Sequence, residues 1–155
     1  MIEGLRRFPL AVYEDERGWF CELRRDSALG ARMVQTNLSF SRAGVIRGLH
    51  YHERGQDDLF ACLRGTARVV VLDRTTGETY SEDIGERNRV ALYIPGHHAH
   101  GFEALTDVLF CYHVTAEYDP ADPDEHTIPW NDPRVAHLWS TTTPILSARD
   151  AAASS

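Results

Sequence analysis

An all-β fold in a single domain is predicted for this 155-residue chain. Three features lead to it: short runs rich in β-branched and aromatic residues recur between turn signals, one such run is almost continuously apolar, and helical periodicity is nearly absent. A chain of this length buries a core without disulfides or a structural metal. Ser27 to Met33 is the one short stretch with a helical pattern. The clearest strands are Ala67 to Asp73, Val90 to Ile94 and Val108 to Thr115. In Thr66-Ala67-Arg68-Val69-Val70-Val71-Leu72 the apolar residues are so nearly continuous that a central strand, covered on both faces, is expected. Thr75-Thr76-Gly77-Glu78 reads as a hairpin turn and Gly85 to Arg89 as a second connection. Tyr118 to Pro133 is rich in proline, which donates no ladder hydrogen bond, so an ordered loop or covering arm is expected there. Residues 1–150 then form the domain, and Ala151 to Ser155 reads as a disordered tail.

Charge and cysteine usage narrow the classes of partner. With 16 basic and 23 acidic residues the formal charge is -7, which repels nucleic acid and acidic membranes, so an anionic ligand must be caught by local arginines. Cys21, Cys62 and Cys111 are odd in number, far apart and set among apolar or aromatic neighbours, as suits buried thiols in a reducing compartment. Met1 to Tyr13 has no apolar core of signal-peptide length and no later stretch is long enough to span a bilayer. A cytoplasmic location is the expectation.

Chemistry gathers in three stretches. In Arg47-Gly48-Leu49-His50-Tyr51-His52 strand alternation points His50 and His52 to one face and Leu49 and Tyr51 to the other. Asp57-Asp58-Leu59 follows after a turn. A second histidine cluster, Pro95-Gly96-His97-His98-Ala99-His100-Gly101-Phe102, opens on a proline-glycine turn that returns the chain to the sheet. In Phe110-Cys111-Tyr112-His113 the tyrosine shares a strand face with Phe110 and Val114. Taken singly, each has a bland counterpart: histidines at a wet strand end, and a half-buried packing tyrosine.

Arg47-Gly48-Leu49-His50-Tyr51 and Ile94-Pro95-Gly96 through His100-Gly101-Phe102, together with Asp15-Glu16-Arg17-Gly18-Trp19-Phe20, Gln35-Thr36-Asn37-Leu38-Ser39, Trp130-Asn131-Asp132-Pro133 and Leu146-Ser147-Ala148-Arg149-Asp150, occur in an order that resembles the dTDP-4-dehydrorhamnose 3,5-epimerase family. The resemblance implies a cupin fold, a double-stranded β-helix or jelly-roll barrel, with a short N-terminal helix, an irregular C-terminal arm and no cofactor. It also implies a homodimer that exchanges N-terminal strands. The activity it implies is epimerisation beside the keto group of a nucleotide-linked 4-keto-6-deoxysugar: a base removes a hydrogen, an enolate forms, and a proton returns from the opposite face. By position His50 is similar to the base, Asp150 to the carboxylate that orients it, Tyr112 to the proton donor and His100 to a residue lining the sugar site. Arg17, Glu22, Gln35, Asn37, Arg47 and Glu125 match positions that hold the nucleotide and diphosphate, where a guanidinium fork suits phosphate oxygens. His52, Asp58 and Arg149 complete the candidate substrate contacts.

Asp58 departs from the family pattern, which usually has lysine there. Two like charges about 5 Å apart at an effective dielectric near 20 repel by roughly 3 kcal/mol, so a carboxylate at this point opposes an enolate. Three readings answer this. His52, held protonated by Asp58, replaces the lysine cation. Alternatively His50, His52, Asp58 and His100 bind one divalent metal ion, as their spacing in metal-dependent cupins would have it, in an isomerase or oxygenase. In the third the protein binds a sugar nucleotide without turning it over.

Overall fold

The strand-forming runs assemble into two five-stranded antiparallel sheets and one separate hairpin. In chain order the strands are β1 (Arg6–Pro9), β2 (Val12–Asp15), β3 (Gly18–Cys21), β4 (Gln35–Ser41), β5 (Ile46–Tyr51) and β6 (Asp58–Arg64), then β7 (Thr66–Leu72), β8 (Thr79–Gly85), β9 (Val90–Ile94), β10 (Ala99–Ala104), β11 (Val108–Val114) and β12 (His126–Thr127). Helix α1 spans Asp26–Leu29 and α2 spans Ala148–Ala153. The computed structural model describes residues 1–154; Ser155 lies outside the described residues. One sheet has the order β1-β9-β6-β11-β4 and the other β12-β5-β10-β7-β8, while β2 and β3 pair only with each other. This is the cupin-like arrangement of antiparallel sheets, but the expected barrel is not closed: among the described residues no ladder joins an edge strand of one sheet to the other.

Strand alternation divides the apolar residues between an inner core and two outer ones. Phe60, Leu92 and Phe110 of the first sheet meet Val69, Val71, Ile84 and Phe102 of the second in the space between them. On β7 the alternate residues Val70 and Leu72 point the other way, into an outer core closed by Val135 and Trp139 of the C-terminal arm. The near-continuous apolar run is therefore a strand buried on both faces, as expected. The first sheet's outer face, Leu59, Ala91 and Tyr93, is covered by Leu29 and Met33. Of the predicted stretch Ser27 to Met33 only the first three residues are helical, within α1; Gly30, at φ 66°, ends it in the left-handed conformation.

Two corrections concern the C-terminal third. The proline-rich passage is an arm, but His126 and Thr127, between its prolines, pair with Tyr51 and His50 at the edge of the second sheet. The tail expected to be disordered is helical as far as Ala153, because the Ser147 hydroxyl accepts from the Asp150 amide and caps α2.

A β-bulge decides which way β5 presents its side chains. Arg47 pairs with Phe102 and His50 with His100, so three steps along β5 oppose two along β10. The extra residue resets the alternation. Leu49 turns into the outer core, and Arg47 and His50 both face the space between the sheets. Gly48 makes this possible: its φ of 138° suits glycine, and a Cβ there would lie 2.8 Å from Gly101 Cα. A Cβ on Gly101 would lie 2.4 Å from the Arg47 carbonyl oxygen. Gly101→Ala is therefore expected to cost at least ~2 kcal/mol through overpacking, lowering the melting temperature by about 5 °C or more. An unchanged melting curve would contradict this close approach.

Candidate active site

A cleft of about 840 Å³ opens between the two sheets, a size that accommodates a ligand larger than a single sugar. Gln35, Asn37, Arg47, His50, His52, Asp58, His100, Tyr112, Glu125, Arg149 and Asp150 all line it. Eleven of the thirteen candidates named from the sequence thus reach one cavity. Arg17 and Glu22 do not. They lie on and just beyond the β2–β3 hairpin, which joins neither large sheet, and pair with Asp15 and Arg25 respectively.

His50, on the second sheet, is fixed by α2. Its Nε2 lies 2.8 Å from Asp150 Oδ1, and the Gly48 amide donates to Asp150 Oδ2 at 3.2 Å. A carboxylate only accepts, so the Nε2 hydrogen donates to Asp150 and the Nδ1 lone pair is left to take a proton. Arg149 Nη2, 3.2 Å from Nε2, is then a neighbour of that atom rather than its donor. On the Nδ1 side stands Glu125, 3.4 Å away, gripped by the Arg149 guanidinium through contacts of 2.8 and 2.9 Å. Glu125, which the resemblance implies is a nucleotide contact, is thus placed against the imidazole. Should the ring become charged, carboxylates flank it on both sides.

Burial opposes ionisation of Asp150, yet the hydrogen bond and charge of His50 with the Gly48 amide hold its carboxyl below the ordinary range. A folded-state value below the unfolded one stabilises the fold above the unfolded value near 4, and this contribution is lost as pH falls through the folded value. The stability difference between wild type and Asp150→Asn is accordingly expected to be greatest above about pH 5 and to shrink below pH 4. Denaturant melts at both pH values check this; a pH-independent difference would remove the charge from the account.

Tyr112 stands on β11 of the other sheet, in register with Asn37 and Phe60. Burial pushes its phenol above the usual value, with Arg47 opposing and Asp58 and Glu125 reinforcing. The hydroxyl therefore keeps its proton at neutral pH.

Deeper in the cleft, Asp58 meets both His52 and His100, where the charge-pair reading had His52 alone. Its Oδ1 is 3.6 Å from His52 Nε2 and its Oδ2 is 3.4 Å from His100 Nε2. Burial works against the charge on Asp58, but hydrogen bonding and charge from His100, then His52 and Gln56, lower its pKa; that of His100 is raised, Asp58 outweighing burial. Together these directions describe a carboxylate on Asp58 and a positive charge on His100, each stabilising the other. His50 is not part of this cluster, since its ring is committed to Asp150, so the four-residue metal set expected from cupin spacing reduces to three. Of the second histidine group only His100 lines the cleft; His98 turns away to the Glu3 carbonyl at 2.8 Å. Gln56, whose amide nitrogen lies 3.0 Å from both His52 Nε2 and Asp58 Oδ1, was given no role by sequence, where an isolated glutamine beside a turn carries no signal.

Comparison with known proteins gives the family. A family model described as dTDP-4-dehydrorhamnose 3,5-epimerase matches residues 1–155. A spore coat polysaccharide biosynthesis protein of Bacillus subtilis is 40% identical over 149 residues, 91% of this chain and 98% of that protein. A dTDP-4-dehydrorhamnose 3,5-epimerase of Methanothermobacter thermautotrophicus is 39% identical over 150 residues, covering 89% of this chain and 80% of the relative. Among solved structures, the dTDP-6-deoxy-D-glucose-3,5-epimerase of Legionella pneumophila, in complex with dTDP-4-keto-L-rhamnose, superposes with a TM-score of 0.87 at 33% identity, over 97% of this chain and 87% of that one.

Proposed function

The chain belongs to the dTDP-4-dehydrorhamnose 3,5-epimerase family, and we propose that its cleft inverts one or both carbons beside the ketone of a dTDP-linked 4-keto-6-deoxysugar. The observation that carries this reading is that a base and an acid line one cleft from opposite sheets: His50 on β5 and Tyr112 on β11. Inversion at carbon needs a proton removed from one face and another delivered to the other, and two groups on facing sheets meet that need.

His50 Nδ1 takes the hydrogen from the carbon beside the carbonyl; the C–H electrons move into the ring carbon–carbon bond and the carbonyl π pair moves onto oxygen. Asp150, and at greater distance Glu125, stabilise the imidazolium. The Tyr112 hydroxyl then gives its proton to the opposite face. Solvent takes the proton from His50 and restores that of Tyr112. Nothing is oxidised or reduced, so the balance calls for no electron-carrying cofactor.

Arg47 is the candidate phosphate contact. Its Nε donates to Ser41 Oγ at 2.8 Å and one Nη to the Phe40 carbonyl at 3.2 Å, which leaves the rest of the guanidinium facing the cleft it lines. Arg47→Ala is expected to weaken dTDP by about 1.5–3 kcal/mol, the range for a hydrogen bond to a charged group. Calorimetric affinity equal to wild type would place Arg47 outside the diphosphate site. Incubation with a dTDP-4-keto-6-deoxysugar, followed by NMR assignment of ring configuration, tests the reaction itself; a bound but unchanged sugar would favour a binding protein.

We propose further that the protein acts as a cytoplasmic homodimer. The β2–β3 hairpin exposes Tyr13, Trp19 and Phe20, and β4 exposes Leu38 and Phe40, apolar surface that a second copy would cover. Such pairing would give Arg17 and Glu22 a route to the partner's cleft. Three free thiols suit a reducing compartment.

A further inference from the structure

Three buried side chains on the cleft floor take no part in the proton relay. His52, Asp58 and His100 are each less than 10% exposed, and one ligand atom from each lies within 4.8 Å of the others. The outer nitrogen of each ring is engaged by a main-chain carbonyl: His52 Nδ1 meets the Asp124 oxygen at 2.6 Å, and His100 Nδ1 meets the His98 oxygen at 2.8 Å. Carbonyls only accept, so both Nδ1 atoms carry hydrogen, and each ring, unless it takes a further proton, presents an Nε2 lone pair inward. The Gln56 amide nitrogen reaches one of these lone pairs and Asp58 Oδ1, and the His100 lone pair facing Asp58 Oδ2 at 3.4 Å calls for a proton or another cation beside it.

The spacing distinguishes between cations. A proton held in a direct ion pair draws nitrogen and oxygen to about 2.7–2.9 Å. Two ligands on one divalent ion, each at about 2.1 Å in tetrahedral arrangement, stand roughly 3.4 Å apart. The two histidine–aspartate separations are 3.4 and 3.6 Å. They run to different oxygens, His52 toward Oδ1 and His100 toward Oδ2, and both exceed a direct ion pair, while one ligand atom from each of the three side chains lies within 4.8 Å of the others, a spread that suits an ion among them.

We propose that His52, Asp58 and His100 form a binding site for one divalent transition-metal ion on the floor of the substrate cleft. Two imidazoles and a carboxylate suit zinc, cobalt, iron or manganese and leave coordination positions open. The two carbonyl hydrogen bonds are the kind of support that holds metal-bound imidazoles in tautomer and orientation. Gln56 stands at hydrogen-bonding distance of the same atoms, and rotation of its amide turns its oxygen toward the centre as a neutral fourth ligand. The base remains free, because His50 is held by Asp150 and lies outside the cluster. The role of the ion rests on the epimerase reading: bound here, it supplies positive charge close to the ketone, which Asp58 alone would deny. Its binding does not rest on that reading.

The test uses the full chain purified without a histidine tag, stripped with EDTA, and titrated with Co²⁺ and then Zn²⁺ by calorimetry and visible absorption. One equivalent of Co²⁺ per chain is expected, with the visible bands of a low-coordinate nitrogen–oxygen site, displaced stoichiometrically by Zn²⁺. Asp58→Asn and His100→Gln are each expected to lower affinity by about a hundredfold, whereas His50→Asn leaves it within about threefold because that ring is not a ligand. Circular dichroism of each variant shows whether it is folded, and the wild-type titration stands whatever the variants do. Failure of wild type to take up either ion at millimolar concentration, or equal loss of affinity in His50→Asn, would overturn the site. Deuterium uptake into a keto-sugar nucleotide by metal-stripped protein would leave the epimerase reading intact and remove the ion's role. Metal uptake with no such exchange would sustain the site and sink the epimerase.

Discussion

His50→Asn is expected to lower epimerisation by about 10²–10⁴-fold, the range a positioned general base contributes, while dTDP affinity stays within a few-fold. Asparagine can still accept or donate toward Asp150, so α2 keeps its anchor, but it offers no nitrogen able to hold a proton from carbon. The phosphate contacts assigned to Arg47 lie elsewhere on the same strand. Equal loss of turnover and of dTDP binding would mean that His50 organises the cleft rather than acting as base.

Tyr112→Phe should separate two activities that wild type performs together. The base still removes the hydrogen, and its conjugate acid exchanges with solvent and returns a proton to the same face. Exchange into substrate is expected to persist while inversion falls by about 10²-fold or more. Burial already holds the phenol in its protonated form, so wild type should keep this step up to alkaline pH. Proportional loss of exchange and inversion, measured on one NMR time course, would leave Tyr112 without a separate part in the reaction.

Much of this architecture is legible in the residues because local and global signals agree. The β7 run from Thr66 to Leu72 states its double burial outright, since Val69 and Val71 serve one core while Val70 and Leu72 serve another. The ordered motifs also bring most of the cleft together. What stays hidden is set by geometry that strict alternation does not encode. Period-two counting puts Arg47 and Leu49 on one face; only the bulge at Gly48, read through its register with β10, brings Arg47 and His50 to the cleft. The spacing that groups His100 with His52 and Asp58 is met by the fold, since His100 arrives from β10, a strand of the opposite sheet, but the same spacing wrongly adds His50. The terminal helix did leave a signal: Ser147-Ala148-Arg149-Asp150 has the spacing of a serine cap with an acidic third residue, which outweighs the small polar tail that follows. Arg17, in the turn of the β2–β3 hairpin, and Glu22, just beyond it, lie outside the chain's own cleft because among the described residues that hairpin pairs with neither large sheet.

Deuterium incorporation at the carbons beside the ketone tests the central claim most directly. A dTDP-4-keto-6-deoxysugar incubated with the protein in D₂O should gain one or two carbon-bound deuterons, located by NMR at C3, C5 or both, and the gain should vanish with His50→Asn. Bound sugar that keeps every carbon-bound hydrogen in wild type would contradict it.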